Sequence, residues 1–380
     1  MSDPAGLAAW LRLASCPGVG PARQRTLLTA FGLPEAVFAA GHGAVAKHIG
    51  SSLASELLAP ADEAAIEHAL AWAAQPGNHI LTLADATYPR ALFDITDPPL
   101  LLYVKGDPAW LNAPALAVVG ARSATPQGLA NARAFAHYLA ERSIVIVSGL
   151  ALGVDAAAHE GALAAATGAT VAVIGTGADR VYPASHRELA HRIVARGAIV
   201  SEFPLGTPPV AHNFPRRNRL IAGLARGVMV VEAALNSGSL ITARLAAETG
   251  REVFAIPGSI HSPLARGCHK LIREGAKLVE TAQDIFEEFG GQPLVASPAG
   301  SATGKAVRQG SAMTPAPPQR PAPADPAAAK VLADMGHDPV DLDTLVVRSG
   351  LTVDALYAIL LALELDGHCV PQPGGRYQRL

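Results

Sequence analysis

The middle of the chain alternates short apolar segments with segments of helical length, and this alternation constrains the fold more than any other feature. Residues 79–290 contain nine such apolar segments, namely HILTL, LLYVKG, ALAVVG, SIVIVSG, ATVAVIG, AIVSEF, GVMVVEA, EVFAIPG and AKLVE. Uninterrupted apolar runs are typical of strands that are buried on both faces of a parallel sheet. We therefore expect one large α/β domain over residues 79–290 with a doubly wound parallel sheet.

Two chemically rich segments follow strands of this sheet. FPRRNR in residues 214–219 places three arginines and an asparagine where a helix should begin, and Ser-Gly-Ser in residues 237–239 follows the strand that ends in VVEA. Guanidinium groups and free helix N–H groups can converge on one anion at the first segment. The second can cap a helix while a phosphate approaches closely. Neither segment carries an obvious nucleophile, so the pattern predicts a site that holds phosphates rather than one that cleaves a bond.

Other strand ends add further candidates. Arg122 follows ALAVVG and is either a surface arginine in a loop or a phosphate contact; its place at the carboxyl end of a strand favours the contact. Ser123 and Thr125 are candidate caps for the next helix. After SIVIVSG, Gly149 and Gly153 permit close approach of the backbone, and Asp155 is expected to cap a helix. His159 lies one turn into that helix, where a lone histidine is more often packed than catalytic.

The turn after ATVAVIG contains Gly175 and Gly177, which leave room for a phosphate or sugar, and Tyr182, whose ring can stack on a base. GTG without a GxGxxG continuation is a weak dinucleotide signal, and the GxxxxGK[ST] motif is absent. We therefore expect no NAD, no ATP and no other cofactor. Cys268 beside His269 suggests a thiol nucleophile, but helical neighbours point to different faces, so catalysis there is disfavoured.

Composition sets the outer limits. A length of 380 residues predicts two or three domains, and a net charge of −2 makes any nucleic-acid contact a local patch. The three cysteines are far apart and odd in number, which indicates neither a disulfide framework nor a zinc site. These features, together with the lack of a signal-peptide pattern or an apolar run of bilayer length, favour a reduced cytoplasm and no membrane contact.

The first 75 residues predict a small helical domain. Its CPGVGP turn resembles the helix-hairpin-helix element, in which backbone amides grip a nucleic-acid phosphate without reading sequence. Such a turn more often joins two packed helices, and we weigh that structural interpretation above DNA binding.

The last part of the chain separates into a linker and a small domain. Residues 291–326 are rich in Pro, Ala, Gly, Ser and Gln and predict a linker. Residues 327–380 predict a winged helix of three helices and a Gly-Gly hairpin, with Thr352 capping the third helix. This unit has four basic and seven acidic residues, a net charge of −3. A winged helix that binds DNA normally needs a basic face, so contact with protein or a weak accessory role is favoured.

Eight segments in order now carry a family resemblance: GARSATPQG, SGLALGVDAAAH, GTGADRVYP, SEFPLG, FPRRNRLIAGLA, VVEAALNSGSLITA, REVFAIPG and GCHKLI. Together they resemble the DNA-processing protein A family, DprA or Smf. The helical N-terminal unit, SAM-like or helix-hairpin-helix-like, and the winged helix suit that family too. The resemblance implies an extended Rossmann-like domain that binds and protects single-stranded DNA and loads the RecA recombinase onto it in natural transformation. It also implies a homodimer formed through the central domain.

Transferred position by position, the family pattern implies phosphate or base contacts at a set of strand-end and helix-start residues. These are Arg122, Ser148, Gly149, Gly175, Gly177, Phe214, Arg216, Arg217, Asn218, Ser237, Gly238, Ser239, Thr242, Gly267 and His269. Two positions depart from the commonest form of the family. Val154 replaces the usual isoleucine with little consequence, while His269 replaces an asparagine and still has a hydrogen-bond donor.

We therefore expect binding without catalysis. Arginines and helix N-terminal amides hold successive phosphates, Phe214 or Tyr182 stacks on a base, a dimer joins two pockets, and salt weakens binding steeply. The main alternative is an enzyme resembling the nucleotide phosphoribohydrolases related to the LOG family. Its PGGxGTxxE motif is not matched by EAALNSGSLITA, which lacks the glycine pair and the catalytic glutamate. A nucleotide-sensing regulator whose winged helix reads duplex DNA is disfavoured by the acidic C-terminal unit.

Overall fold

The computed structural model describes residues 4–290, 325–336, 338–372 and 374–379. Of the predicted linker, residues 291–324 lie outside the described residues. The described chain begins with a group of short helices: α1 Pro4–Ser15, α2 Pro21–Phe31, α3 Pro34–Ala39, α4 His42–Ile49, α5 Ser51–Leu58 and α6 Glu63–Ala73. Prolines begin α2 and α3, where a missing N–H costs nothing, and Asp62 caps α6 by accepting from Ala65 N at 3.0 Å.

Within residues 4–290, nine strands form one mixed sheet, and every strand predicted from the sequence is present. The strands are β1 Asn78–Thr82, β2 Leu101–Gly106, β3 Ala115–Val119, β4 Val145–Ser148, β5 Thr170–Val173, β6 Ala198–Ser201, β7 Gly227–Val230, β8 Glu252–Ala255 and β9 Lys277–Leu278. Their order across the sheet is β1-β2-β6-β5-β4-β3-β7-β8-β9. Strands β3 to β9 are parallel, whereas β1 and β2 run antiparallel to their neighbours. The predicted doubly wound, mainly parallel sheet is therefore confirmed.

The chain changes direction across the sheet at one place. It proceeds from β3 outward through β4, β5 and β6, and then returns to place β7, β8 and β9 on the other side of β3. The connections after β3 and β7 consequently diverge and leave a crevice at the carboxyl ends of these two strands. In doubly wound sheets this switch point is the usual ligand site.

Helices cover both faces of the parallel strands. They are α7 Pro126–Ala140, α8 Val154–Ala164, α9 Arg187–Arg196, α10 Asn213–Leu224, α11 Gly238–Glu248, α12 Arg266–Arg273 and α13 Ala282–Glu288. In β3, Leu116 and Val118 face the core formed with α7, α8 and α13, while Ala117 and Val119 face the core formed with α10, α11 and α12. Because every position of β3 is buried, the strand has the uninterrupted apolar sequence from which it was predicted.

The N-terminal helices share a core with the edge of the sheet. Trp10, Leu13 and Trp72 pack in one cluster with Leu101 and Tyr103 of β2. The CPGVGP turn joins α1 to α2, and its Val19 is buried in the same cluster. These helices therefore pack against the sheet at β1 and β2.

The C-terminal unit is a winged helix, as predicted. It consists of α14 Pro326–Met335, β10 Val340–Asp341, α15 Leu342–Ser349, α16 Val353–Leu365, β11 Cys369–Gln372 and β12 Arg376–Arg379. Thr352 caps α16 by accepting from Ala355 N at 3.4 Å, which confirms its predicted role. In the described part of the chain, no single helix is long and apolar enough to cross a bilayer; α15 and α16 meet the length and composition criteria only as a pair bent by 105°.

Candidate functional site

A cavity of about 530 Å³ lies at the switch point, between the carboxyl ends of β3 and β7. Its walls come from the loop after β3 and from the first turns of α10 and α11. The residues of interest that line it are Arg122, Tyr182, Phe214, Arg217, Asn218, Ser237, Gly238, Ser239 and Thr242. All nine were singled out in the sequence, so their separate strand-end segments do converge on one place.

Arg122 is the exposed cation of this cavity. Its guanidinium carbon lies 5.7 Å from the centre of the Phe214 ring, within the range of a cation–π interaction. Gly153 has φ +77° and packs against the carbonyl groups of Ala121 and Arg122, in the loop that carries Arg122. A side chain at Gly153 would overlap these oxygens, so the close approach of the two loops requires glycine.

Two aromatic rings continue the surface that begins at Arg122. The Phe214 ring packs over Gly175, where an added Cβ would lie 3.0 Å from the ring. The centre of the Tyr182 ring is 5.7 Å from that of Phe214, at an interplanar angle of 41°, and Tyr182 is 47% exposed. Arg122, Phe214 and Tyr182 thus present a cation and two π-faces side by side. Unpaired bases stack on such a surface, and the cation attracts the phosphates that connect them.

The first turn of α11 supplies polar groups to the opposite wall. The Ser237 hydroxyl caps the helix by accepting from Ser239 N at 3.3 Å, and it lies 2.6 Å from Ser239 Oγ. Gly238 is exposed, and Asn218 Nδ2 on α10 donates to its carbonyl oxygen at 3.4 Å. The positive end of a helix dipole with amides and hydroxyls around it favours an anion. The predicted role of Ser-Gly-Ser as a helix cap is confirmed.

Arg217 lines the cavity, but its guanidinium group donates hydrogen bonds to backbone carbonyl groups of the protein. Its guanidinium group is buried and donates to Gly149 O at 2.6 Å and also to Val173 O. It therefore connects α10 to the ends of β4 and β5. Burial lowers the pKa of Arg217 to about 10, and the nearby Asp155 carboxylate opposes that shift. The sequence predicts a phosphate contact at this arginine; the structure shows that it donates to two backbone carbonyl oxygens while lining the cavity, and the phosphate contact stays a prediction.

Asp155 completes this buried network. Its carboxylate accepts from Gly149 N at 3.1 Å and from Ala151 N at 3.3 Å, and burial raises its pKa against the opposing effect of Arg217. The expected capping role of Asp155 is corrected, because Gly153 is the N-cap of α8 and Asp155 reaches back to the preceding loop. Ser148 donates its buried hydroxyl to Val118 O at 2.6 Å. Ser148 and Gly149 thus direct their polar groups to protein partners rather than to the cavity.

Gly175 and Gly177 also pack within the protein. The carbonyl oxygen of Gly175 accepts from Asn213 Nδ2 at 3.1 Å, and Gly177 N donates to Thr207 O at 3.1 Å. An added Cβ at Gly177 would lie 2.5 Å from Asp179 Oδ1. These glycines allow neighbouring loops to approach each other, and Gly175 also leaves room for the Phe214 ring.

Arg216 lies outside the cavity. Its guanidinium group is 3.2 Å from Glu202 Oε2 and 5.4 Å from the centre of the Phe203 ring. Arg219 pairs with the same buried carboxylate at 2.6 Å. Arg216 lines a separate cavity of about 430 Å³ beside the glycine turn between α1 and α2. The basic residues of FPRRNR therefore diverge rather than converge on one anion.

Gly267 and His269 are likewise separate from the switch point. Gly267 N donates to Ala233 O at 2.8 Å, and His269 Nε2 lies 2.9 Å from Gly258 O. His269 lines another cavity, of about 560 Å³, near β9 at the end of the sheet. Burial raises the pKa of the neighbouring Cys268 thiol to about 12, so this thiol stays protonated at neutral pH and is a poor nucleophile.

Glu232, two residues after β7, is a partly buried carboxylate that sequence reasoning did not single out. Its carboxylate accepts from Thr125 N at 2.9 Å and from Thr125 Oγ1 at 2.6 Å, and burial raises its pKa. Thr125 caps α7, as predicted, by accepting from Gly128 N at 3.0 Å. The Glu232 carboxylate therefore lies at the N-terminus of α7. Its only sequence signal was its position, one acidic residue directly after an apolar strand.

His159 is packed, as expected. It is fully buried, and its Nδ1–H donates to Thr170 Oγ1 at 2.7 Å, because that hydroxyl gives its own proton to Ile146 O. Burial, followed by the charges of His186 and Arg217, lowers its pKa to about 3 and keeps the ring neutral. Among the described residues, no group of three or more His, Cys, Asp or Glu side chains is arranged to hold a metal ion.

Comparisons with known proteins agree with this geometry. Residues 79–290 match the family described as DNA recombination-mediator protein A, and residues 315–375 match the DprA winged helix domain. The chain is 42% identical over 318 residues to protein Smf of Escherichia coli, an alignment that covers 83% of this chain and 81% of the relative.

Two solved structures are also similar. DNA processing protein A from Streptococcus pneumoniae superposes with a TM-score of 0.67 at 38% identity, covering 74% of this chain and 97% of the other. DNA processing protein A from Helicobacter pylori, whose structure is described as giving insight into a single-stranded DNA binding mode, superposes with a TM-score of 0.51 at 32% identity. That match covers 56% of this chain and 96% of the other.

Proposed function

This chain belongs to the DNA recombination-mediator protein A family, and we propose that its switch-point cavity binds single-stranded DNA. The observation that carries the proposal is the row formed by Arg122, Phe214 and Tyr182 beside the N-terminus of α11. A base can use the two rings only when it is unstacked from its neighbours, which a single strand allows and a duplex resists. The described binding mode of the Helicobacter pylori relative supports the same ligand class.

Phosphates are held chiefly by Arg122 and by the first turn of α11. Arg122 is the exposed arginine on the cavity, while Arg217 neutralises the floor from below. Each phosphate contact to a single strand makes the slope of log affinity against log salt concentration more negative by about 0.7. Few contacts in one protomer give a modest slope, and several protomers on one strand give a steeper one.

We propose that the protein does not catalyse a reaction. Among the described residues that line the cavity, Asp155 is the only carboxylate, and it accepts from two backbone amides near the positive charge of Arg217. A phosphoribohydrolase would need a free acid or base near the sugar. Incubation with nucleoside monophosphates tests this point, because release of free base would replace the binding function with an enzymatic one.

A homodimer through the central domain is part of the proposal. The helices of the N-terminal unit pack against the sheet at β1 and β2, whereas Leu278 on the β9 edge is 45% exposed beside His269 and Ile272. A second copy at this edge would cover both the apolar side chain and the unpaired strand. Light scattering tests the dimer, and Leu278→Arg should yield monomers if the edge is the interface.

The cellular role that we propose is protection of incoming single-stranded DNA and loading of RecA onto it in natural transformation or recombination, in the cytoplasm. This part rests on family membership. Three assays test it together: affinity for labelled single strands against duplexes, resistance of the bound strand to nuclease, and RecA filament formation on strands already coated with single-strand binding protein. A duplex preference, or no effect on filament formation, would contradict the corresponding step.

A further inference from the structure

One face of the winged helix is apolar and uncovered. The side chains of Val353, Tyr357, Leu361 and Leu365 recur every four residues along α16 and are 44%, 51%, 59% and 79% exposed. Residues at this spacing form a single row on a helix surface. Large apolar side chains that are exposed singly are ordinary, but a continuous row of four marks an interaction surface.

The charges around this row are acidic. Asp354 and Glu364 are exposed on α16, Asp366 follows the helix, and α16 itself carries no lysine or arginine. In a winged helix, α16 corresponds to the recognition helix that enters the major groove of DNA. A DNA-reading helix needs basic or amide side chains here, and this helix presents carboxylates and hydrocarbon.

The basic residues of the same unit are directed elsewhere. Lys330 donates to Ser349 O at 2.8 Å, Arg348 to Asp334 O at 3.1 Å and Arg379 to Leu332 O at 3.3 Å. Each therefore satisfies a carbonyl group at or near the end of a helix instead of facing a ligand. Arg376, in the β-hairpin, is the remaining basic residue of residues 327–380.

The acidic residues around this row indicate which class of molecule can bind it. Duplex DNA and an anionic bilayer are both repelled by carboxylates next to the apolar surface. A second copy of α16 packed antiparallel would bring Asp354 close to Glu364 of the other copy, which places like charges together. A helix with its own apolar row and flanking Lys or Arg residues matches both the hydrocarbon and the charge.

We propose that the exposed face of α16 is a docking site for a partner protein that presents an amphipathic, basic helix. The site lies in a different unit from the switch-point cavity and does not depend on single-stranded DNA binding. The winged helix is then an adaptor that recruits a protein to the DNA-bound central domain.

The test uses the full-length protein and two synthetic 18-residue helical peptides with leucines on one face. One peptide has lysines flanking the leucines, and the other has glutamates at the same positions. Fluorescence anisotropy should show the lysine peptide binding at least about tenfold more tightly than the glutamate peptide. The double variant Leu361→Glu, Leu365→Glu should lose at least about tenfold of that affinity.

Two further variants keep the test decisive. Ile260→Glu replaces one exposed apolar side chain of the central domain, 74% exposed, with glutamate. This variant should bind the lysine peptide as the wild type does. Asp354→Asn, Glu364→Gln leaves the apolar row intact and should weaken binding and its salt dependence. Equal affinity for the two peptides, or no loss in the leucine double variant, would overturn the proposal. Binding of duplex DNA or phosphatidylglycerol vesicles that the leucine double variant abolishes would reassign the face to that ligand.

Discussion

Arg216 and Arg217 are adjacent in the chain, but their guanidinium groups reach different parts of the protein. Arg217 donates to Gly149 O at 2.6 Å beneath the cavity, while Arg216 lies 3.2 Å from Glu202 Oε2 outside it. A pair of arginines that looks like one anion site in the sequence therefore consists of a buried brace and a partly exposed surface cation.

Replacement of Arg217 should destabilise the protein. Arg217→Ala leaves two buried strand-end carbonyls without a donor and removes the positive charge that opposes the raised pKa of the buried Asp155; each buried polar group left unsatisfied costs about 1–3 kcal/mol. Arg216→Ala removes a pair whose arginine is half exposed and should cost about 1 kcal/mol or less. Urea unfolding of both variants checks this, and equal losses would contradict the assigned roles.

Replacement of Arg122 should act on binding and not on stability. Arg122→Ala removes an exposed cation from the cavity, so affinity for single-stranded DNA should fall and the salt slope should decrease by about 0.7. The midpoint of unfolding should stay at the wild-type value. Arg216→Ala serves as the matched control for loss of one positive charge, and an identical change in slope for both variants would argue against a cavity contact.

The Phe214 ring should contribute by stacking. Phe214→Ala should weaken single-strand binding by about 1–3 kcal/mol with little change in the salt slope, because a ring contributes no charge. Phe93→Ala removes a ring that is 53% exposed and does not line the cavity, and it should leave binding unchanged. Fluorescence titration at two salt concentrations separates the two effects; a Phe214 variant with wild-type affinity would remove stacking from the mechanism.

The carboxylate of Glu232 makes Gly128 intolerant of a side chain. An added Cβ at Gly128 would lie 2.5 Å from Glu232 Cδ, so Gly128→Ala must displace the carboxylate from Thr125 and should cost about 1–3 kcal/mol. Gly238→Ala is the matched control in another first helical turn. Nothing lies within 4 Å of its added Cβ, and the helix propensity of alanine should leave stability equal or slightly higher. Thermal unfolding distinguishes them, and equal melting temperatures would contradict the packing of Glu232.

His159 should make stability depend on pH. Its pKa is lowered from 6.5 to about 3, so the unfolded chain takes up a proton below about pH 6.5 while the folded ring stays neutral. Stability from this group is complete above that pH and falls by about 1.4 kcal/mol per pH unit as the pH decreases towards 3. His159→Gln cannot titrate but can still donate to Thr170. Its stability relative to the wild type should rise between pH 7 and pH 5; a constant difference would contradict the shifted pKa.

The sheet could be predicted from the sequence because strands that are buried on both faces consist of uninterrupted apolar residues. Each position of β3 is apolar since Leu116 and Ala117 face different cores. The antiparallel direction of β1 and β2 was not predicted, because an apolar run does not specify the direction of its strand. The switch point between β3 and β7 was not predicted either, because the apolar segments do not specify the order of the strands across the sheet.

The site was only partly predictable for a related reason. A strand-end polar residue has the same sequence pattern whether it faces a ligand or a neighbouring loop. Arg122 and Ser237 line the cavity. Ser148 donates a hydrogen bond to a backbone carbonyl group, and Arg217 does so while also lining the cavity. Distinguishing them requires the packing of α10 against the ends of β4 and β5, which depends on contacts between residues far apart in the chain.

The most direct test of DNA binding in the switch-point cavity is photo-crosslinking of the full-length protein to single-stranded DNA that contains 5-iodouracil, followed by mass spectrometry of the linked peptides. We expect crosslinks at Phe214 and Tyr182, reduced by an excess of unlabelled single strand and by Arg122→Ala. Crosslinks confined to the winged helix, or to the surface around Arg216 and the glycine turn, would contradict binding in the switch-point cavity.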